Sequence, residues 1–439
     1  MKTKLITVFL LLITGIIGFL FLTNQKKNIP DLSPRPEGFS SSAEYLNARH
    51  SVDYYRKQIE SNPNEIRNYI ELAQVFLQEA RVSGMDLEYI PKALSLIEDA
   101  LKMNPDDIDA NVTKASIFLS QHQFNKAKVI IEKVTASKPH FAFAYGVLCD
   151  TYVETGEYEK AVEACDKMLS IRPDLRSYSR ASYLRELHGK KEEAIDAMIM
   201  AANAGVTGQE NRAWVLYNLG LLLIDQNKLD SAEYIFRGIF EERPEYAFAY
   251  AGLSEVKLAE KDYTSAIQLL NKAYKIIPQH EFLEELAAIY FKLGDSKKFN
   301  ELTRIILDEF ETHDENGWNI NLEYARFCAD YMLNLDEALE KIKSEFNMRP
   351  KNIEVIDTYA WLLYRKGESR KAADLIDRVL KFNNTNPDIL FHAGVIFQSL
   401  NMNDKALDYL EKAGDNNLRI IYSDDLNKRL NQLNKIAMK

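Results

Sequence analysis

Apolar residues recur at helical spacing along nearly the whole chain, in paired segments separated by Gly or polar turns and often closed by Pro. Ten such pairs follow one another between Pro63 and Gly414. The second segment of each carries a small residue at one fixed phase: Ala93, Ala127, Ala161, Ala194, Ala232, Ala266, Ala338, Ala372 and Ala406, with Phe299 in the seventh place. These positions lie 33 to 39 residues apart, and a period near 34 predicts an all-α solenoid of about ten helix pairs. A methyl group at a helix crossing lets two backbones approach, where a larger side chain overpacks at a cost of about 1–3 kcal/mol.

The unit from Tyr145 to Pro173 displays the pattern. Leu148, Cys149 and Tyr152 share one face of a first helix that ends at Gly156, while Tyr158, Ala161, Cys165 and Met168 share one face of a second that stops at Pro173. Tyr145, Leu148, Tyr152, Gly156, Ala161 and Pro173 resemble the tetratricopeptide repeat motif, as do Tyr217, Leu219, Gly220, Ala232, Phe236 and Pro244, and again Tyr250, Leu253, Ala266, Ala273 and Pro278. The resemblance covers about four-fifths of the chain. It implies a right-handed superhelix whose first helices line a concave groove for peptides or helices. Aligned on the Ala positions, the groove face takes in Phe143, Tyr183, Trp214, Tyr217, Phe248, Trp361, Tyr364 and His392. Rings dominate polypeptide interfaces, although each also suits packing between repeats. The family's carboxylate clamp does not carry over: Val112, Ser116, Gly146 and Asp150 stand where it needs polar or basic groups, and only Arg176 and Arg180 fit.

The ends of the chain differ from the array. Leu5 to Leu22 is an uncharged run of 18 residues behind Lys2 and Lys4, so residues 1–24 read as a transmembrane anchor, or alternatively as a cleaved signal segment. The charge balance around it places the repeats outside the cytoplasm, which gives a single-pass protein of a bacterial inner membrane with a periplasmic body, or a secreted body after cleavage. Residues 25–42, with Pro30, Pro34, Pro36 and several serines, read as a flexible tether. Residues 43–61 form an N-terminal capping helix, 62–413 the array, and 414–439 a C-terminal cap containing a polar amphipathic helix from Ser423 to Ala437. Extra residues fall at about Arg81 to Ile90 in the first unit and after Ala204 and Thr312, where loops are expected.

Composition narrows the function further. The net charge is −10 overall and −13 beyond residue 40, which disfavours nucleic acid as a partner and reads as a solubility device, with an acidic docking face as the alternative. The seven histidines are scattered, and no HExxH helix, phosphate-binding glycine loop or GxSxG turn occurs. Cys149, Cys165 and Cys328 lack metal or redox spacing, though Cys149 and Cys165 fall on facing helices where either a disulfide or two buried thiols fits. No cofactor, metal or catalytic group is therefore expected. The leading expectation is a membrane-tethered scaffold that binds protein or peptide partners in its groove. Self-association as a structural assembly factor and enzymatic activity in the groove are the alternatives.

Overall fold

The computed structural model describes residues 29–35, 43–382, 386–414 and 417–437. Among them are 22 α-helices, one 3-10 turn and no strands. Helix α1 (Ala43–Ser61) leads into ten pairs. The first five are α2–α3 (Ile66–Ser83, Asp86–Met103), α4–α5 (Ile108–Ser120, Phe124–Ser137), α6–α7 (Ala142–Glu154, Tyr158–Ile171), α8–α9 (Leu175–Leu187, Lys191–Ala204) and α10–α11 (Glu210–Ile224, Leu229–Glu242). The next five are α12–α13 (Ala247–Ala259, Tyr263–Ile276), α14–α15 (His280–Leu293, Ser296–Glu315), α16–α17 (Asn321–Tyr331, Leu335–Met348), α18–α19 (Ile353–Arg365, Ser369–Leu380) and α20–α21 (Pro387–Ser399, Asn403–Gly414). A 3-10 turn (Ile420–Tyr422) then enters α22 (Ser423–Ala437).

Local chemistry sets the helix ends. Asp107, Asp174, Asn352 and Asn386 open first helices by accepting hydrogen bonds from backbone amides of the first turn. All nine phase-setting alanines are fully buried at the crossings. Phe299, in the seventh pair, is also buried, and it fills its place with rings on both sides, Phe291 at 5.3 Å and Tyr331 at 4.9 Å. The surplus residues of the first unit lengthen its helices rather than forming a loop. Helix α2 continues to Ser83, Gly84 ends it in the left-handed conformation, and α3 begins at Asp86.

The solenoid coils until one turn meets the next, along a seam joining residues about 195 positions apart. Arg349 donates to the Glu154 carbonyl oxygen at 3.0 Å, and the amide of Ile353 donates to the Tyr158 hydroxyl at 2.9 Å, both across 195 residues. Gln123 donates to Gly317 across 194 residues, and Arg243 pairs with Glu44 across 199. Tyr158 also meets the ring of Phe382 edge-on at 4.5 Å. One continuous apolar core consequently includes residues from both early and late repeats, such as Tyr158 and Ile353, while a second core is built from residues between Leu175 and Val256.

Two expectations about the N-terminal region change. Within the stretch read as a tether, residues 29–35 lie against the first pair: Ile29 and Leu32 are buried, and Arg35 forms a buried ion pair with Glu79 at 2.6 Å. Apolar side chains and a matched charge outweigh the extended habit of prolines there. The expected membrane localisation is also corrected. No helix among the described residues is long and apolar enough to cross a membrane, and the run from Leu5 to Leu22 lies outside those residues.

Candidate functional site: the inner face of the first helices

Two aromatic clusters lie on the first helices of the pairs, on the face assigned to the groove by phase. In the first cluster, Trp214 on α10 packs 5.0 Å from Phe248 on α12, Tyr217 lies 5.5 Å from Phe248, and Phe248 continues to Phe282 on α14 at 5.5 Å. Trp214 keeps 43% of its surface exposed, so this cluster presents an open ring edge. Tyr183 on α8 is equally open. Phe143 is half-buried, with the Arg176 guanidinium 5.5 Å above its ring.

The second cluster is closed. Trp361 stacks on His392 at 4.1 Å and on Tyr364 at 5.1 Å, yet Trp361 and His392 are only 2% and 4% exposed. Residues 417–424 cover them as a strap laid across the inner wall. The Tyr422 hydroxyl lies 2.9 Å from His392 Nε2 and donates to Asp330, and its ring stacks on Phe391 at 4.5 Å. Arg419 donates to Asp330 at 2.6 Å and pairs with Asp388. Lys292, on α14, then holds Ser423 at 2.8 Å and Asp424 at 2.6 Å.

Carboxylates crowd the wall between the clusters. Burial in the coil raises Glu186 to about 7 and Glu284 to about 8, the latter against the partial relief of Arg326. Burial and the neighbouring carboxylates raise Glu285 and Glu255 together, and one Glu285 oxygen is buried without a hydrogen bond. Burial likewise raises Glu154 to about 7 despite the nearby Arg349. Asp330 behaves oppositely: burial disfavours its charge, but Arg419, His392 and the Tyr422 hydroxyl hold it below the usual carboxylate range. A cavity of about 130 Å³ opens beside the strap, lined by Tyr183, Glu186, Asp225, Glu354, Pro387 and Asn417. The wall is thus an acidic, aromatic surface suited to cations and rings.

Models of the tetratricopeptide repeat match residues 144–175 and 217–281. Those two segments match tetratricopeptide repeats. The helix pairs on either side of those segments keep the same phase. Among curated proteins, the Arabidopsis thaliana protein CTR9 homolog is 24% identical over 289 residues, 61% of this chain and 25% of that protein. The TPR repeat-containing protein MJ1428 of Methanocaldococcus jannaschii is 22% identical over 338 residues, 75% of this chain and 53% of its own length. The chain therefore spans between a quarter and about half of these relatives. Among solved structures, the human IFIT1 dimer with m7Gppp-AAAA is 14% identical, with a TM-score of 0.45 over 84% of this chain and 87% of that one. Tetratricopeptide repeat proteins bind protein or peptide partners.

Several charged groups of this helical array carry no motif signal. Arg180, one of two residues that fitted a terminal-carboxylate clamp, is occupied by Asp150 at 2.6 Å and by the Gly146 carbonyl oxygen. Cys149, Cys165 and Cys328 are free and buried. No group of His, Cys, Asp and Glu placed to hold a metal occurs among the described residues. Asp330, Asp388, Glu284 and Glu285 do not stand out in sequence, because acidic residues on a helical repeat read as solvated surface. Registering them on the same helix face as the aromatics is the signal that finds them.

Proposed function

We propose that the protein is a scaffold that binds a polypeptide partner along the inner face of its repeats. The observation that carries this reading is Trp214, 43% exposed and backed by the partly buried rings of Tyr217 and Phe248, which leaves an aromatic edge uncovered near the carboxylates Glu255 and Glu285. Exposed Trp and Tyr rings of this kind supply large contact area at small entropic cost. Phe143 and Tyr183 extend the same face toward the amino terminus. Trp361 and His392 belong to its strap-covered part, so they contribute only where the strap yields, and the half-buried Tyr364 stacks on Trp361 beside them.

The test is affinity capture and cross-linking with the full-length chain, comparing wild type with Trp214→Ala and with Tyr234→Ala, a ring 78% exposed on the outer helix α11. Trp214→Ala should weaken partner retention about tenfold or more while Tyr234→Ala leaves it unchanged and both keep their helical signal. A partner held equally by both variants removes the inner-face assignment.

A further inference from the structure

The strap shows what chemistry the closed half of the groove accepts. Its contacts are those of a bound peptide: an arginine on two carboxylates, an aromatic ring three residues later in an aromatic slot, and a hydroxyl on buried polar groups. Arg419 is 42% exposed while Asp330 beneath it is 1% exposed, so the recognising carboxylate is built into the wall and the arginine sits on it from the solvent side. The strap leaves gaps. The Trp361 Nε1–H is buried without an acceptor, and the cavity beside Asn417 has three carboxylate residues on its lining, Glu186, Asp225 and Glu354. The unfilled Trp361 donor calls for an added acceptor such as a peptide carbonyl, and the acidic cavity beside the strap calls for added positive charge, so a longer, more cationic segment suits the site better than the strap itself.

We infer that the Asp330, Asp388, Trp361 and His392 site recognises a cationic segment of a partner polypeptide bearing an arginine and an aromatic residue three positions later, and that the chain's own Arg419–Tyr422 strap occupies this site in cis until displaced. The inference rests on the inner face being a binding groove. It adds the partner's chemistry and a competitor already in place. Because the strap is tethered to the array, its local concentration is high, and a partner must exceed it in affinity or arrive as part of a larger contact on the open Trp214 row. Exchanging one arginine for another leaves the ion-pair count unchanged, so the salt effect largely cancels in the wild type, whereas binding to a chain lacking Arg419 should weaken with salt.

The experiment uses full-length chains and a fluorescent peptide copying residues 417–424, Asn-Leu-Arg-Ile-Ile-Tyr-Ser-Asp, read by anisotropy at low and high salt. Arg419→Ala loosens the strap without touching the wall, and Tyr422→Phe is a second loosened chain that keeps the ring in its slot; circular dichroism checks that both remain helical. The peptide should bind either loosened chain at least tenfold more tightly than wild type. Binding should be lost when the peptide's arginine is replaced by Ala, and it should fall tenfold or more with Asp330→Asn in the Arg419→Ala chain. Equal binding to wild type and to both loosened chains overturns the inference, as does indifference to the peptide's arginine or to Asp330. If binding to the loosened chains disappears with Trp214→Ala but survives Asp330→Asn, the groove reading stands and the strap inference falls.

Discussion

Arg349 grips Glu154 across 195 residues, donating to its carbonyl oxygen at 3.0 Å and to its carboxylate at 2.9 Å. The same guanidinium, buried at the seam, pairs with the equally buried Glu345 and lies 4.4 Å over the ring of Phe124. Removing it strands a buried carboxylate as well as opening the seam. Arg349→Ala should cost about 3–5 kcal/mol in urea unfolding, and pairing it with Glu345→Gln should recover part of the loss.

Gly156 sits in the left-handed conformation at φ +75°, and a β-carbon there comes 2.3 Å from the backbone carbon of Lys351 on the neighbouring turn. Gly156→Ala therefore combines backbone strain with a clash that cannot move aside, a loss of about 2–4 kcal/mol. Gly367 has φ +83° with nothing within 4 Å of its added β-carbon, so Gly367→Ala should cost only about 1–2 kcal/mol. Equal losses for the two, measured by chemical unfolding, would show that the seam does not press on Gly156.

Phe299→Ala moves the seventh unit toward the pattern of the other nine and should nonetheless destabilise by about 3–4 kcal/mol. The ring fills space between Phe291 and Tyr331 that a methyl leaves empty. The reverse change at a regular crossing, Ala266→Leu, should cost about 1–3 kcal/mol through overpacking. Thermal melting of the two variants checks both signs.

Stability should rise as the pH falls from about 8 to 6. Glu154, Glu186 and Glu284 hold their protons to about 7, 7 and 8 in the folded chain, against 4.5 ordinarily, so the folded state binds more protons than the unfolded one in this window. Their stabilisation is complete below the ordinary value and is lost as pH rises through 7–8. His122 acts in the same direction: burial lowers its affinity for a proton, but Glu323 at 3.3 Å overcomes this and raises it. Glu323, held at about 2 by His122 despite its burial, keeps its charge throughout the window. The melting midpoint should be a few degrees higher at pH 6 than at pH 8, a modest shift because the inner wall meets water. A midpoint that climbs toward pH 8 contradicts this account.

The helix pairs were legible because each alanine, capping residue and closing proline acts within its own 34-residue unit. Ser423 to Ala437, outside those units, is legible as a helix from its own amphipathic spacing. The contacts of Arg349, Gly156 and Tyr158 were not, since their partners are set by how far the solenoid rotates per repeat, a quantity carried by many small packing angles rather than by a motif. Phase alone assigns the eight aromatic and histidine positions to the groove face. Phase could not separate the open Trp214 from the covered Trp361, because the cover comes from Arg419 and Tyr422, which read in sequence as an unremarkable connection. The charge of −13 beyond residue 40 fits solubility or an acidic face equally as composition, and only the structure gathers part of it into a buried group at Glu255, Glu284 and Glu285.

An open solenoid stores its stability in nearest-neighbour interfaces, so its repeats can melt from the ends one at a time. The seam changes that arithmetic here. Fraying of the last repeats also exposes the faces of the third and fourth, so partial unfolding costs more than one interface and the coil should melt with fewer intermediates than its repeat count suggests. The same contacts slow its assembly, because a chain must close loops of about 195 residues before Arg349 can reach Glu154. Newly made repeats therefore wait, with their early edges uncovered, until the ninth pair has been synthesised.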